Sequence, residues 1–197
     1  RDMSWREMLC QKKFYGMCAM LLCGGLSGMM VISSASDMAQ VEAGFSPAAA
    51  ALMVSVLSLF NAGGRASAGI LSDKLGRIGT LSLVFPISVA ALCALFFFGQ
   101  DSMAVFAVSI ALVGACFGAL MGIFPGFTAD EFGQRNNTVN YGILFFGFAL
   151  SGMLGPQVAS WVMSGTGSYR SAFLIAAVVA LAGFALTFLH RRLAARS

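Results

Sequence analysis

The sequence predicts an all-α membrane protein with six transmembrane helices. Of its 197 residues, 58% are hydrophobic and only 10% are charged, far from the composition of a soluble domain. Six apolar stretches have about the 20 residues that a helix needs to cross a hydrocarbon core about 30 Å thick. The alternating pattern of a membrane β-barrel is absent, so helices are the structure that satisfies every backbone amide in lipid.

Charged or turn residues bound each apolar stretch. The predicted spans cover residues 14–35, 47–71, 79–99, 103–126, 139–163 and 171–190. The Ser-Pro pair at 46–47 is a favourable start for the second span, and Asp101 or Ser102 can cap the fourth. Gly76 and Gly133 follow the second and fourth spans, where glycines in the left-handed α region commonly end helices.

Polar segments flank the predicted six-helix bundle, residues 14–190. Residues 1–13 predict a cytoplasmic linker with a short amphipathic helix, because Ser4 and Glu7 have capping-box spacing and Trp5 suits the membrane interface. Residues 191–197 predict a basic cytoplasmic tail. The chain opens on Arg1 and carries no signal peptide, so we expect it to continue a longer protein.

Most basic residues fall on one side of the predicted spans. Ten of the twelve precede the first span or follow the second, fourth or sixth: Arg1, Arg6, Lys12, Lys13, Lys74, Arg77, Arg135, Arg191, Arg192 and Arg196. The opposite loops hold only Arg170, so the positive-inside rule places both termini in the cytoplasm. We therefore expect a multi-pass protein of the plasma (inner) membrane, and we interpret its net charge of +4 as orientation in the bilayer, with no nucleic-acid partner.

Arg65 is the one charged residue inside an apolar span. It lies eight residues, or about 12 Å, before Asp73 at the end of the helix. An arginine near the bilayer centre costs about 2.5–3.5 kcal/mol, so it should face a protein interior or an aqueous cavity. Ser58, Asn61, Arg65, Gly69 and Ser72 form a polar, small stripe at steps of three and four. The guanidinium fork matches a carboxylate; the alternative is a structural arginine that pairs with carbonyls or reaches the interface.

Other spans supply packing signals and few chemical groups. Gly114, Gly118, Gly122 and Gly126 repeat every four residues on the fourth span and predict close approach of a neighbouring helix. No span has an acidic residue well inside it, and His190 closes the last, so the sequence predicts no proton relay in the bilayer. The five cysteines lack metal-ligand spacing, and we expect no metal or cofactor.

Two long motifs carry a family resemblance. The stretch GRASAGILSDKLGR at 64–77 resembles the loop signature of the major facilitator superfamily, in the copy between helices 8 and 9. With GIFPGFTADEFGQRNNTVNYGILF at 122–145, it is similar to the oxalate:formate antiporter family. The resemblance covers nearly the whole chain. It implies that the six spans are helices 7–12, the C-terminal half of a twelve-helix transporter whose N-terminal six-helix half would be the partner.

The resemblance also implies a substrate site. In that family the arginine of the helix 8 motif binds the carboxylate substrate, and this role carries over to Arg65. A second substrate cation of the oxalate exchanger, a lysine, aligns with Phe148, so a small monocarboxylate such as pyruvate, lactate or formate becomes the better substrate. The other expected substrate-binding residues are Asn61, Phe117, Met121, Tyr141 and Phe145. For the helix 11 residues the alternative is ordinary helix packing.

The loop signature implies a separate gating role. In the superfamily an acidic residue at this position meets a helix N-terminus across the two halves and stabilises one alternating-access state. The expected gating motif comprises Gly64, Gly69, Asp73, Lys74, Gly76 and Arg77. Asp73 would make the inter-half contact, while Lys74 and Arg77 would bridge to nearby acids or lipid phosphates.

We therefore expect a secondary transporter of a small organic anion that works by alternating access. Three alternatives stay open: exchange of oxalate or another dicarboxylate, a passive channel, and a membrane sensor that binds a metabolite without transporting it. An enzyme is not expected, because the sequence has no HExxH or GxSxG motif and no nucleophile paired with a base inside a span.

Overall fold

A computed structural model of the chain describes residues 2–194, without the side chains of 193 and 194. Within that range the chain forms nine α-helices: α1 (Trp5–Leu9), α2 (Lys12–Ile32), α3 (Ala35–Ala43), α4 (Pro47–Leu75), α5 (Arg77–Phe98), α6 (Met103–Phe132), α7 (Asn137–Leu144), α8 (Phe146–Thr166) and α9 (Arg170–Ala194). Arg1 of the predicted linker and residues 195–197 of the predicted tail, Arg196 among them, lie outside the described residues.

Six helical stretches among residues 2–194 are long and apolar enough to cross a membrane. They are α2, α4, α5, α6, α9 and the consecutive pair α7 and α8, which together cover Asn137–Thr166. The prediction of an all-α protein with six spanning segments is therefore confirmed. Both α4 and α6 extend several residues past their predicted ends, so Asp73 and Lys74 lie in α4, and Asp130 and Glu131 lie in α6.

Side-chain caps begin three of these helices as the sequence predicts. Ser4 and Glu7 form a complete capping box at α1. The Ser46 hydroxyl accepts a hydrogen bond from the Ala49 amide at the start of α4. At α6, Ser102 is the cap rather than Asp101, because its hydroxyl accepts from the Val105 amide.

Several local predictions need correction. The first span, predicted to reach residue 35, ends at Ile32, and the expected connection after it contains α3. The span predicted at 139–163 is interrupted at Phe145. Gly76 and Gly133 do end helices at positive φ of 77° and 93°, but their ψ values near 158° lie outside the left-handed α region. At the segment boundaries, Lys12 and Lys13 already belong to α2, and α9 runs into the predicted tail as far as Ala194.

The glycine ladder predicted for the fourth span seats α6 directly on the backbone of α4. A Cβ atom added at Gly114 would lie 2.9 Å from the Leu57 carbonyl oxygen. At Gly118 and Gly122 it would collide with the carbonyls of Asn61 and Arg65. Successive glycines of α6 contact successive turns of α4 in the same order, so the two helices run parallel. The glycine ladder therefore fixes the position of Arg65 along α6.

A buried acid at one end of the bundle and a buried histidine at the other make contacts between helices. Near the α4 N-terminus, Glu42 of α3 accepts hydrogen bonds from the Gln100 side chain at 2.6 Å, the Ser168 hydroxyl at 2.9 Å and the Tyr169 amide at 2.5 Å. At the opposite end, His190 is only 1% exposed and lies 3.4 Å from Glu131. A buried titratable residue is thus present, at a helix end rather than at mid-span.

The linker docks on the connection between α6 and α7. The Met3 amide donates to the Phe132 carbonyl at 2.8 Å. The Met3 carbonyl accepts from the side-chain amides of Asn136 and Asn140, each at 3.1 Å. These bonds attach the N-terminal segment to the end of the bundle that the distribution of basic residues predicts to be cytoplasmic.

Candidate functional site

Arg65 presents an uncompensated cation to open space. The Arg65 backbone is held in place because its carbonyl group packs directly against Gly122 of α6. Its side chain is exposed on the molecule and lines two cavities. Within residues 2–194 the guanidinium makes no hydrogen bond or ion pair with another residue. An arginine held at mid-helix without a protein counter-charge is suited to an anionic ligand.

The first cavity, here called the aromatic cavity, has a volume of about 460 Å³. Its lining residues are Arg65, Phe117, Met121, Thr138, Tyr141, Gly142, Phe145 and Phe148. The structure therefore brings together six of the seven residues that the sequence predicts for substrate binding. Four helices supply them: α4 contributes Arg65, α6 contributes Phe117 and Met121, α7 contributes Tyr141 and α8 contributes Phe148, while Phe145 lies between α7 and α8.

A continuous chain of rings forms the apolar wall of the aromatic cavity. Ring centroids lie 5.5 Å apart for Tyr141 and Phe145, and 4.6 Å apart for Phe145 and Phe148. The chain continues to Phe117 of α6, 5.7 Å from Phe148. Rings at these separations pack favourably and change conformation little. The wall crosses the helix interruption at Phe145, so the break between α7 and α8 lies beside the cavity.

Asn61 is the exception among the predicted site residues. It lies outside the aromatic cavity, in a second cavity of about 610 Å³, here called the Asn61 cavity. Its lining residues are Ile32, Leu57, Ser58, Asn61, Ala62, Arg65 and Ala66. The structure therefore does not bring Asn61 into one cavity with the aromatic residues, because helical spacing places it on the same stripe as Arg65 but one turn nearer the start of α4.

Two cavity residues were missed by the sequence reasoning. Thr138 and Gly142 line the aromatic cavity beside Tyr141. Helical periodicity could have found them, since Thr138 lies three residues before Tyr141 and Gly142 lies three before Phe145. The Thr138 and Tyr141 hydroxyls are the polar groups that accompany Arg65 in this lining.

Arg77, the first residue of α5, links the charged ends of α4 and α6. Its guanidinium contacts the Asp73 carboxylate at 2.7 Å, the Asp130 carboxylate at 2.8 Å and the Ser72 hydroxyl at 2.5 Å. A Cβ atom added at Gly126 would lie 2.8 Å from the Arg77 guanidinium carbon. The prediction that Arg77 bridges to nearby acids is met within this chain.

The remaining gating-motif residues occupy different environments. Asp73 has 67% of its side chain exposed, and Lys74 is also exposed. Gly64 packs so closely that an added Cβ would collide with the Ala115 carbonyl of α6. Gly69 and Gly76 have nothing within 4 Å of an added Cβ, and Gly76 is required by its positive φ. The motif therefore combines a packing glycine, a turn glycine and an exposed acid.

Several known proteins with similar sequences are named as transporters. A protein of Escherichia coli strain K12, described as the uncharacterized MFS-type transporter YhjX, is 34% identical over 150 residues, which cover 76% of this chain and 37% of that protein. The oxalate:formate antiporter of Oxalobacter formigenes is 26% identical over 194 residues, 98% of this chain and 46% of the antiporter. Monocarboxylate transporter 12 of Xenopus laevis is 27% identical over 150 residues, 75% and 31% of the two chains. This chain covers less than half the length of each.

The fold and the family model agree with these relatives. The solved structure of the fucose:proton symporter of E. coli matches with a TM-score of 0.76 and 16% identity, over 94% of this chain and 44% of the symporter. At that identity the match shows the fold alone, a six-helix unit that corresponds to about half of a transporter. Residues 17–197 match the family model described as Major Facilitator Superfamily. The chain therefore belongs to the major facilitator superfamily.

Proposed function

We propose that this chain is the C-terminal half, helices 7–12, of a secondary transporter that moves a small organic anion across the plasma (inner) membrane. The observation that carries the proposal is the unpaired Arg65 guanidinium on the wall of the aromatic cavity. Secondary transporters bind substrate near mid-membrane between two six-helix halves and expose it to each side in turn. The N-terminal half would close the aromatic cavity from the opposite side.

A small monocarboxylate such as pyruvate, lactate or formate is the proposed substrate. Two of the relatives are named for carboxylates, the oxalate:formate antiporter and monocarboxylate transporter 12. Arg65 supplies one fixed positive charge to the aromatic cavity, and its lining contains no other charged residue. Phe148 lies where the resemblance places a second cation in the oxalate exchanger. One cation balances a monocarboxylate, and the aromatic wall suits its short apolar body.

The charged end of α4 is proposed to act as a gate. The exposed Asp73 carboxylate is available to a helix N-terminus of the other half, where backbone amides and the helix dipole favour an anion. Arg77 would hold Asp73 in position while also binding Asp130. This assignment goes with cytoplasmic termini, which the distribution of basic residues favours.

Uptake by the full-length transporter tests the substrate role of Arg65. We expect Arg65→Ala to abolish uptake of labelled pyruvate into proteoliposomes, and Arg65→Lys to lose most of it, because an ammonium cannot reproduce the bidentate fork. Arg192→Ala is the matched control, since it removes an exposed arginine at the far end of α9. All variants are first compared for membrane insertion and for a monodisperse elution profile.

Two results would overturn the proposal. Uptake by Arg65→Ala at the wild-type rate would remove Arg65 from substrate binding. Specific binding of pyruvate to the wild-type protein, without uptake or counterflow into vesicles, would favour the sensor alternative over a transporter.

A further inference from the structure

The Asn61 cavity is a second space that shares Arg65 with the aromatic cavity, and Ser58 and Asn61 are the other polar residues in its lining. Each cavity has its own lining, and Arg65 is the single residue common to both. Arg65 therefore borders two adjoining chambers. A ligand that leaves one chamber can enter the other without losing contact with the positive charge.

The two chambers reach toward opposite ends of the bundle, and they overlap at the level of Asn61, where Phe117 lines the aromatic cavity. Apart from Arg65 and Ala66, the Asn61 cavity is lined by residues that precede Arg65 on α4 and by Ile32, the last residue of α2. Because α2 ends and α4 begins at the same end, this chamber extends toward the side that the basic residues predict to be extracellular. The aromatic cavity reaches Thr138 in the first turn of α7, which starts at the other end.

Asn61 supplies a free hydrogen-bond donor in its chamber. Its side-chain amide makes no hydrogen bond to any residue in the described range 2–194. The Ser58 hydroxyl is already committed, since it donates to the Val54 carbonyl at 2.9 Å. The Asn61 backbone is held against Gly118 of α6, so the amide cannot withdraw by a shift of the helix. An amide and a guanidinium one helical turn apart, about 6 Å along the axis, form a suitable pair of donors for a carboxylate.

The lining of the Asn61 cavity favours a transient stop over a final site. It contains no aromatic ring, and Ala62 and Ala66 leave its wall flat. The aromatic cavity, in contrast, has four rings to enclose the body of a ligand. A carboxylate in the Asn61 cavity would keep part of its hydration while it contacts Arg65.

We propose that the Asn61 cavity is an entry subsite, in which Asn61 and Arg65 together hold a small carboxylate on its way between the extracellular side and the aromatic cavity. This inference rests on the proposed function, because it requires Arg65 to bind a carboxylate. It adds a separate role for Asn61, which acts on one face of the membrane only.

Sided tracer exchange by the full-length transporter tests the subsite. In right-side-out vesicles, the half-saturating pyruvate concentration is measured outside with the interior saturated, and then inside with the exterior saturated. We expect Asn61→Ala to raise the outer value on the order of tenfold, as for a lost hydrogen bond to a charged group, and to change the inner value less than twofold. Asn61→Gln, which keeps the amide, should recover most of the outer value.

A matched control and a reference variant separate the possible failures. Ser55→Ala removes an exposed hydroxyl from the same helix outside both cavities and should leave both values unchanged. Two results would overturn the subsite and leave the proposed function standing, provided that Arg65→Ala abolishes exchange. Asn61→Ala could change the outer and inner half-saturating concentrations equally, or it could change neither. Normal exchange by Arg65→Ala would instead remove the proposed function, and the subsite with it.

Discussion

Replacement of Gly118 by alanine tests whether the glycine ladder positions Arg65. An added methyl group at Gly118 would collide with the Asn61 carbonyl oxygen and lie 2.8 Å from the Asn61 carbonyl carbon. Both neighbours are backbone atoms, so α4 must move away from α6. Overpacking of this kind costs about 1–3 kcal/mol. Because Arg65 lies one turn further along α4, its guanidinium would move away from the aromatic wall.

Gly63→Ala is the matched control for this perturbation. Gly63 is also a glycine inside a long helix, but nothing lies within 4 Å of an added Cβ. Both substitutions gain about the same helix propensity, so the difference between the two variants isolates the packing cost. For a chain of this size, about 1–3 kcal/mol corresponds to roughly 2–12 °C in Tm.

Thermal unfolding in detergent, followed by tryptophan fluorescence, measures that difference. We expect Gly118→Ala to unfold at a lower temperature than Gly63→Ala and to lose pyruvate uptake in the full-length transporter. Equal Tm values for the two variants would show that α4 and α6 do not pack through this glycine, and the structural account of Arg65 placement would fail.

Three further outcomes follow from the same contacts. Glu42→Ala should destabilise the fold by about 2 kcal/mol, because three donors lose a buried carboxylate; an unchanged Tm would contradict this. Phe148→Lys should raise oxalate uptake relative to pyruvate, by about tenfold or more, because it adds the second charge that a dianion requires; unchanged discrimination would count against charge matching. Asp130→Asn should cost less than about 1 kcal/mol of stability, since 52% of the Asp130 side chain is exposed. The same substitution should slow transport, because Arg77 loses one of its two carboxylate partners. A large fall in Tm would mean that the Arg77–Asp130 pair is chiefly structural.

The membrane spans were predictable because length and composition alone decide them. An apolar stretch of about 20 residues has few alternatives to a spanning helix, whatever surrounds it. Helix starts at Ser4, Ser46 and Ser102 were equally accessible, since a cap depends on residues three positions away. The glycine ladder likewise predicted a close helix contact, although it did not identify the helix that packs there.

Tertiary packing explains the features that the sequence did not show. The α3 helix is short and carries Glu42, whose donors come from connections about 60 and 126 residues further along the chain. The helix interruption falls at Phe145, and because this residue is neither proline nor glycine, it does not mark a break in the sequence. Burial of His190 depends on contacts with Phe127 and Glu131 of α6, which periodicity within α9 cannot reveal.

The candidate site was likewise predictable only in part. Arg65 stood out because a charge inside an apolar span is costly, and its helical stripe included Asn61, which lines a cavity with it. The stripe could not show that Asn61 and the aromatic residues belong to different cavities. That division depends on how α2, α6, α7 and α8 are placed around α4, which is a property of helix placement rather than of any one helix.

Equilibrium binding tests the central claim most directly, because it separates recognition of the carboxylate from the motions of transport. Binding of labelled pyruvate to the purified full-length transporter should be measured in detergent for the wild type, Arg65→Gln and the control Arg192→Ala. The account predicts a Kd about 10–100 times higher for Arg65→Gln, as expected for loss of a charge-assisted hydrogen bond, and an unchanged Kd for the control. A wild-type Kd in Arg65→Gln would contradict it.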